Sequence, residues 1–205
     1  MQVRRSVSLG KGGMKYSMVR RWMVWTGRIG RCRGFGVQSP WAYRMVRYVI
    51  NEHWPYYAYG TLAARFPGLG VIERRVCELC LRLANHLQPR LTAVYGVGGD
   101  ALGSYVKAGC RLTELVEAGG DGAAEAGFVV IAPCEGFEQV FYGACAAAKD
   151  GSAVMLLDIR RGKAVRRLWR SVVAEMQGVV TFDLYYCGLV FFDKKRFKQN
   201  YVINF

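Results

Sequence analysis

The second half of the chain alternates short apolar runs with segments of helical periodicity, and this alternation constrains the fold more than any other feature. The predicted strands lie at 91–95, 111–117, 127–132 and 153–158, and the predicted helices follow them at 101–108, 137–149 and 163–176. Continuous apolar strands separated by helices are typical of a mostly parallel sheet covered on both faces. The sequence therefore predicts an α/β domain over residues 89–205.

The last 27 residues, "VVTFDLYYCGLVFFDKKRFKQNYVINF", contain three aromatic and β-branched runs joined by short turns. Residues 179–185, 188–193 and 201–205 are therefore predicted to be antiparallel strands at the edge of the sheet. The sequence therefore predicts an α/β fold whose parallel sheet ends in an antiparallel hairpin.

Residues 30–88 are predicted to be a helical segment that packs on this sheet. Ser39 followed by Pro40 signals a helix start, and the apolar residues that follow share one face up to about residue 51. A second apolar stripe predicts a helix over 71–87. Between them, "PYYAYG" is interpreted as an aromatic loop.

Charge is unevenly distributed along the 205 residues, whose net charge is +14. Residues 1–51 hold eleven Lys or Arg and no acid, and residues 1–29 are predicted to be a basic, disordered extension, with 1–13 dispensable. Such a segment is either a solvated basic face or a contact surface for nucleic acid. Single-stranded RNA would suit the aromatic residues that interleave with its arginines, which are Trp22, Trp25, Phe35 and Trp41.

The cysteine and histidine content argues against a metal centre or a hydrolytic triad. The seven cysteines lie mostly in apolar segments, which is typical of buried free thiols in a reducing cytoplasm. Cys77 and Cys80 form a lone C-x-x-C inside a helical pattern, and only His53 and His86 could add ligands. We therefore expect a cytoplasmic protein with no metal and no membrane span.

The stretch "VYGVGGD" joins the strand at 91–95 to the following helix through Gly96, Gly98 and Gly99. Glycines at such a turn let backbone amides approach a ligand, although tight strand-to-helix turns also use glycine for structural reasons alone. Glu117 lies 21 residues beyond Gly96, at the end of the second strand, which is the spacing at which a carboxylate meets ribose hydroxyls in nucleotide-binding folds. Both interpretations, cofactor loop and structural turn, remain open.

The layout resembles the class I S-adenosylmethionine-dependent methyltransferases. It is most similar to a small bacterial group through "GFGVQSPWAYRMVRYVINE", "YYAY" and "FDLYYCGLVFFDKKRFKQNYVINF", over roughly residues 30–205. The resemblance implies a Rossmann-like methyltransferase fold with an N-terminal helical extension. It also implies S-adenosylmethionine as a small-molecule cofactor, held by Gly96, Gly98, Gly99 and Glu117.

The chain departs from that family at three points. The acid that ends the first strand is replaced at Val94, Asp100 stands where a glycine is usual, and only a short segment follows Glu117. The expectation is a methyltransferase with an eroded cofactor site; the alternatives are a non-catalytic interaction module and a basic RNA-binding protein. No catalytic residue is assigned. Asp158 lies at a strand end, where open α/β sheets place functional groups, but it is interpreted as a helix cap in preference to a functional group.

Overall fold

The computed structural model describes residues 7–8, 16–31, 37–52, 54–98, 100–118, 125–193 and 195–205. Within these ranges the strands are β1 (Val7–Ser8), β2 (Leu91–Tyr95), β3 (Val97–Gly98), β4 (Glu114–Glu117), β5 (Phe128–Ile131), β6 (Ala153–Leu157), β7 (Val179–Asp183), β8 (Cys187–Phe192) and β9 (Gln199–Val202). The helices are α1 (Met18–Gly27), α2 (Pro40–Met45), α3 (Ala58–Arg65), α4 (Val71–Leu87), α5 (Ala101–Gly109), α6 (Phe137–Ala147) and α7 (Gly162–Glu175).

Seven strands form one twisted sheet in the order β4-β2-β5-β6-β8-β7-β9. Strands β4, β2, β5 and β6 are parallel, whereas β8 is antiparallel to both β6 and β7. The predicted α/β fold of Rossmann-like methyltransferase type, with an antiparallel hairpin at its end, is confirmed. The carboxyl ends of β2, β4, β5, β6 and β7 therefore all lie at one edge of the sheet, which is where open α/β sheets bind ligands.

The third C-terminal strand differs from its prediction. It spans Gln199–Val202 and pairs in parallel with β7, with Val180 opposite Gln199. The prediction of an antiparallel strand at 201–205 is therefore wrong. Since β8 carries the chain back to the amino end of β7, a strand that begins there after a short turn runs in the same direction as β7.

Helices cover both faces of the sheet, and the side chains of the strands alternate between them. In β5, Phe128 and Val130 belong to the core cluster under α2, α4 and α5, while Val129 and Ile131 belong to the cluster under α6 and α7. Strand β6 is buried along its whole length. Burial on both faces explains why these strands are continuous apolar runs in the sequence.

The helical segment before the sheet matches its prediction at both main helices. Helix α4 spans Val71–Leu87, and α2 begins at Pro40 with the Ser39 side chain accepting a hydrogen bond from the amide of Ala42. A π-helix, Val46–Ile50, extends α2. Helix α3, by contrast, overlaps the predicted aromatic loop and was not predicted. Leu62 is its only buried residue, so the sequence of this helix carries no apolar stripe.

The predicted disorder of residues 1–29 is contradicted by α1 at Met18–Gly27. The Ser17 side chain caps the helix by accepting from the amide of Arg20 at 3.2 Å. None of its residues is buried, so no apolar period points toward the core, and polar contacts described below hold it in place. Val7–Ser8 pairs in parallel with β3, and the remaining residues of the 1–13 prediction lie outside the described ranges.

Within the described ranges, no helix combines the length and the hydropathy needed to span a bilayer.

Candidate functional site

The turn after β2 is built around Gly96, which has a φ of +68°. A Cβ at this position would lie 2.4 Å from Cys134 Sγ and 3.1 Å from the carbonyl oxygen of Ala132. Both the left-handed backbone and the lack of space require glycine here. The loop after β5 thus packs directly against the glycine turn.

Two hydrogen bonds that involve Tyr95 join these two loops. The amide of Ala132 donates to the carbonyl of Tyr95 at 2.8 Å, and the Tyr95 hydroxyl donates to the carbonyl of Glu135 at 2.8 Å. Gly136, with a φ of +77°, leaves room for that hydroxyl, because a Cβ there would lie 3.1 Å from it. These contacts therefore tie the carboxyl end of β2 to the loop after β5.

Glu117 comes to the same edge from the neighbouring strand. The register of β2 and β4 sets it opposite Val94, two residues before Gly96, and its side chain is exposed. The amide of Ala118 donates to the carbonyl of Val94 at 2.8 Å, which fixes the end of β4 beside the turn. The structure therefore places Glu117 beside the Gly96 turn.

The other residues predicted for the cofactor loop are placed less favourably. Gly98 belongs to β3, where it pairs with Ser8, and Gly99 lies outside the described residues. Asp100 is exposed and precedes α5 without a side-chain capping bond. The side chain of Val94 packs against the core cluster, so no carboxylate stands at the end of β2.

Strand β4 is an outer strand of the sheet, and only ten residues, 118–127, connect it to β5. In the part of the chain that the structure describes, no strand lies beyond β4. Residues 119–124 of this connection lie outside the described ranges.

A second group of polar residues lies at the carboxyl ends of β6 and β7, and its centre is Asp158. This residue is 3% exposed and has a left-handed φ of +51°. Its Oδ1 accepts a hydrogen bond from the Tyr16 hydroxyl at 3.1 Å, and its Oδ2 lies 3.6 Å from Arg161 Nη1. The interpretation of Asp158 as a helix cap is wrong, because Arg161 is the N-cap of α7 and no side chain caps it.

Burial raises the pKa of Asp158, and the hydrogen bond from Tyr16 and the charge of Arg161 oppose this shift. The pKa of Tyr16 is also raised, first by burial and then by the Asp158 carboxylate. A charged, buried Asp158 therefore costs folding free energy, because the raised pKa shows that folding favours its protonated form.

Asp158→Asn is expected to increase the free energy of unfolding at neutral pH. Since the native pKa lies above the unfolded value, the wild type gains stability as the pH falls through the native pKa, and the difference between the two proteins shrinks. Urea denaturation at pH 7 and at about pH 4 measures both quantities. The exposed Asp100→Asn is the control and is expected to change stability by less than about 0.5 kcal/mol. A destabilised Asp158→Asn protein at pH 7 would show that the carboxylate is net favourable.

Asp183, at the end of β7, is the second buried carboxylate of this group. Arg28 Nη2 donates to its Oδ1 at 2.8 Å and the amide of Tyr185 does so at 3.0 Å. Trp169 Nε1 donates to Oδ2 at 3.1 Å, and Arg160 pairs with the same oxygen. Asp183 therefore joins the N-terminal segment, α7 and the loop after β7.

Three tyrosines, named here the tyrosine cluster (Tyr16, Tyr185 and Tyr186), pack between the N-terminal segment and the sheet edge. The rings of Tyr16 and Tyr186 meet edge to face at 4.8 Å, and those of Tyr185 and Tyr186 at 5.3 Å. Arg20 Nε donates to the Tyr185 hydroxyl at 3.1 Å, and the Arg28 guanidinium lies 5.2 Å from the Tyr185 ring centre. These contacts hold α1 over the carboxyl edge of the sheet.

Apart from Asp158, the members of this second group received no role from the sequence. The segment "FDLYY" carries Asp183, Tyr185 and Tyr186 and formed part of the family resemblance, and a buried-strand aspartate is a usable signal. Tyr16 and Arg28 could not be found this way, because their partners lie 142 and 155 residues away along the chain.

No protein-family model matches the chain, and no curated protein matches it. Among solved structures, cofactor-bound Rv0187 from MTB is 13% identical, with a TM-score of 0.45 over 65% of this chain and 87% of that protein. The O-methyltransferase TomG from Streptomyces achromogenes, in complex with SAM, is 14% identical, with a TM-score of 0.42 over 68% and 91%. An O-methyltransferase from Bacillus cereus, in complex with SAH, is 12% identical, with a TM-score of 0.38 over 70% and 94%. The strand order of the sheet is the observation on which the assignment of the fold rests.

Proposed function

We propose that this chain binds S-adenosylmethionine and S-adenosylhomocysteine at the Gly96–Glu117 edge, as a methyltransferase with a weakened cofactor site. The observation that carries the proposal is the register that sets Glu117 opposite Val94, beside the Gly96 turn. An exposed carboxylate at a strand end next to a glycine turn is the arrangement that holds ribose hydroxyls in nucleotide-binding folds.

The residues present fit one part of such a cofactor and not another. The left-handed turn at Gly96 lets the backbone approach a ligand, and the exposed carboxylate of Glu117 has two oxygen atoms that can accept hydrogen bonds from hydroxyls. Val94 supplies no charge for the amino group of the cofactor, and the surface beyond β4 offers no further strand within the described residues. The proposed site therefore holds the ribose, with fewer contacts to the amino group of the cofactor and to the part that lies beyond β4.

When bound, S-adenosylmethionine supplies an activated methyl group. The protein has to align and desolvate the acceptor, and a base is needed only where the acceptor loses a proton. The carboxyl edge between β2 and β6 is the place for the acceptor in this arrangement, and α1 and the tyrosine cluster cover part of it. The acceptor itself is not assigned.

Titration calorimetry with S-adenosylhomocysteine tests the site. Each missing charge-assisted hydrogen bond weakens binding by roughly 10- to 100-fold, so we expect a Kd of about 0.1–1 mM. Glu117→Ala is expected to weaken binding by a further tenfold or more. Glu114→Ala is the matched control, because Glu114 is an exposed acid at the opposite end of the same strand, and its affinity should equal that of the wild type.

Three results would contradict parts of this proposal. Micromolar binding would show that the cofactor site is intact, not weakened. Binding that Glu117→Ala leaves unchanged would remove the ribose contact. No heat at millimolar ligand would overturn cofactor binding and favour an interaction module that keeps the methyltransferase fold.

A further inference from the structure

Helix α1 presents its apolar side to solvent and its polar side to the protein. Six apolar residues of α1 and the turn after it are each at least half exposed: Met18, Val19, Trp22, Met23, Trp25 and Ile29. Trp22 is 66% exposed and Trp25 is 50% exposed, which is unusual for the largest apolar side chain. These six residues are named here the α1 apolar face.

The periodicity of the helix explains this orientation. Met18, Trp22 and Trp25 follow the i, i+4, i+7 spacing and so line one stripe, with Val19 and Met23 beside it. Arg20 points the other way, since it donates to the Tyr185 hydroxyl on the carboxyl edge. Arg28, just past the helix end, is anchored on Asp183.

Folding does not account for the α1 apolar face, because no residue of the helix is buried. The contacts described above that dock α1 are hydrogen bonds, cation–π contacts and ring contacts made by Tyr16, Arg20 and Arg28. A contiguous exposed apolar patch next to polar residues marks a surface that another body covers.

The charge around this face is entirely positive in sequence. Residues 1–51 contain eleven Lys or Arg and no acid, and Asp158 and Asp183, which bond to Tyr16 and Arg28 of the docked segment, are buried. The chain as a whole carries a net charge of +14. The partner of the α1 apolar face is therefore expected to be anionic, and a second copy of this basic chain would be repelled.

We propose that α1 docks on the surface of a membrane that contains anionic phospholipids. A helix with arginines on one side and Trp, Met and Val on the other is the type that lies in the plane of the bilayer interface. Its 10 residues span about 15 Å, half of the roughly 30 Å hydrocarbon core, so it lies on the surface. Tryptophan side chains are favoured at that depth, and each nearby Lys or Arg adds attraction to an anionic leaflet.

The composition of the face favours lipid over RNA. Stacking on bases needs aromatic rings, but four of the six residues are aliphatic or Met, which suit acyl chains. Trp41, which would extend an RNA platform, is half-buried with the Arg196 guanidinium 4.4 Å from its ring centre. Trp41 is therefore occupied by a contact within the protein, whereas Trp22 and Trp25 are exposed.

Vesicle flotation of the full chain tests the proposal. The wild type should float with phosphatidylcholine vesicles that contain phosphatidylserine and bind several-fold less to pure phosphatidylcholine, with added salt weakening the former. The double variant Trp22→Ala/Trp25→Ala should lose at least roughly tenfold in partition coefficient, because it truncates two side chains that the proposal inserts into the bilayer. Trp54→Ala is the matched control, since Trp54 is 80% exposed outside α1, and it should bind like the wild type.

Circular dichroism should show that all three proteins fold alike, because the replaced side chains are exposed. Equal loss of binding in the Trp54→Ala protein, or no flotation of the wild type with either vesicle, would overturn the proposal. Two further results would overturn it in a protein that does not bind vesicles. One is binding of labelled single-stranded RNA that depends on Trp22 and Trp25, and the other is a dimer, detected by light scattering, that depends on the same residues.

Discussion

Asp183→Asn is expected to lower the free energy of unfolding by about 4 kcal/mol, the range measured when one partner of a buried ion pair is removed. Asp183 accepts from Arg28, Trp169 and the amide of Tyr185, and pairs with Arg160. Asparagine keeps the shape of the side chain but removes its charge. Its amide nitrogen would face donor groups and could not accept their hydrogen bonds. Buried donors left in this way cost far more than a surface contact.

Thermal unfolding and urea titration measure this loss. For a chain of this length, about 4 kcal/mol corresponds to a fall in Tm of roughly 10 °C. Asp193→Asn is the control, because Asp193 pairs with Arg196 near the surface, where an ion pair contributes about 0–1 kcal/mol. A loss below about 1 kcal/mol in Asp183→Asn would show that the N-terminal segment and α7 are held mainly by other contacts.

Gly109→Ala is expected to destabilise the protein by about 3 kcal/mol, because it forces α4 and α5 apart. A Cβ at Gly109 would lie 2.1 Å from the carbonyl oxygen of Leu81 and 3.0 Å from the amide nitrogen of Asn85. Both atoms belong to the backbone of α4, so neither can move without shifting the helix. Urea denaturation should show a lower midpoint with an unchanged slope.

Gly143→Ala is the matched helical control. Gly143 lies inside α6, and nothing stands within 4 Å of a Cβ at that position. Alanine should therefore stabilise the protein by roughly 0.5–1 kcal/mol through its better helix propensity. If Gly109→Ala were stabilising to the same degree, the close approach of α4 and α5 would not be tight.

The architecture could be predicted from sequence because its signals are local. An apolar run such as "FVVI" of β5 is continuous because the strand is buried on both faces, and α4 shows a stripe because one side of it is buried. Both helix α4 and strand β2 have the predicted bounds. Helices α1 and α3 were missed for the converse reason, since they bury no residue and one residue respectively.

The candidate site was predictable only where spacing along the chain carries it. The strand and its turn made Gly96 a candidate, and the distance to the next strand end made Glu117 a candidate. In the folded chain, the pairing of Val94 with Glu117 sets Glu117 beside the turn. The group around Asp158 and Asp183 was not predictable, because its donors come from the N-terminal segment and no periodicity reports such contacts.

Sequence alone determined the α/β class, the main helices and the antiparallel hairpin, because burial and turn geometry act on residues a few positions apart. Only the tertiary structure decided that β9 runs parallel to β7, that Asp158 accepts from Tyr16 instead of capping α7, and that α1 turns its apolar side outward. Each of these depends on which distant segments meet at the carboxyl edge of the sheet. A hydrogen bond between residues 142 positions apart leaves no periodic trace in the sequence, so the folded chain is needed to reveal it.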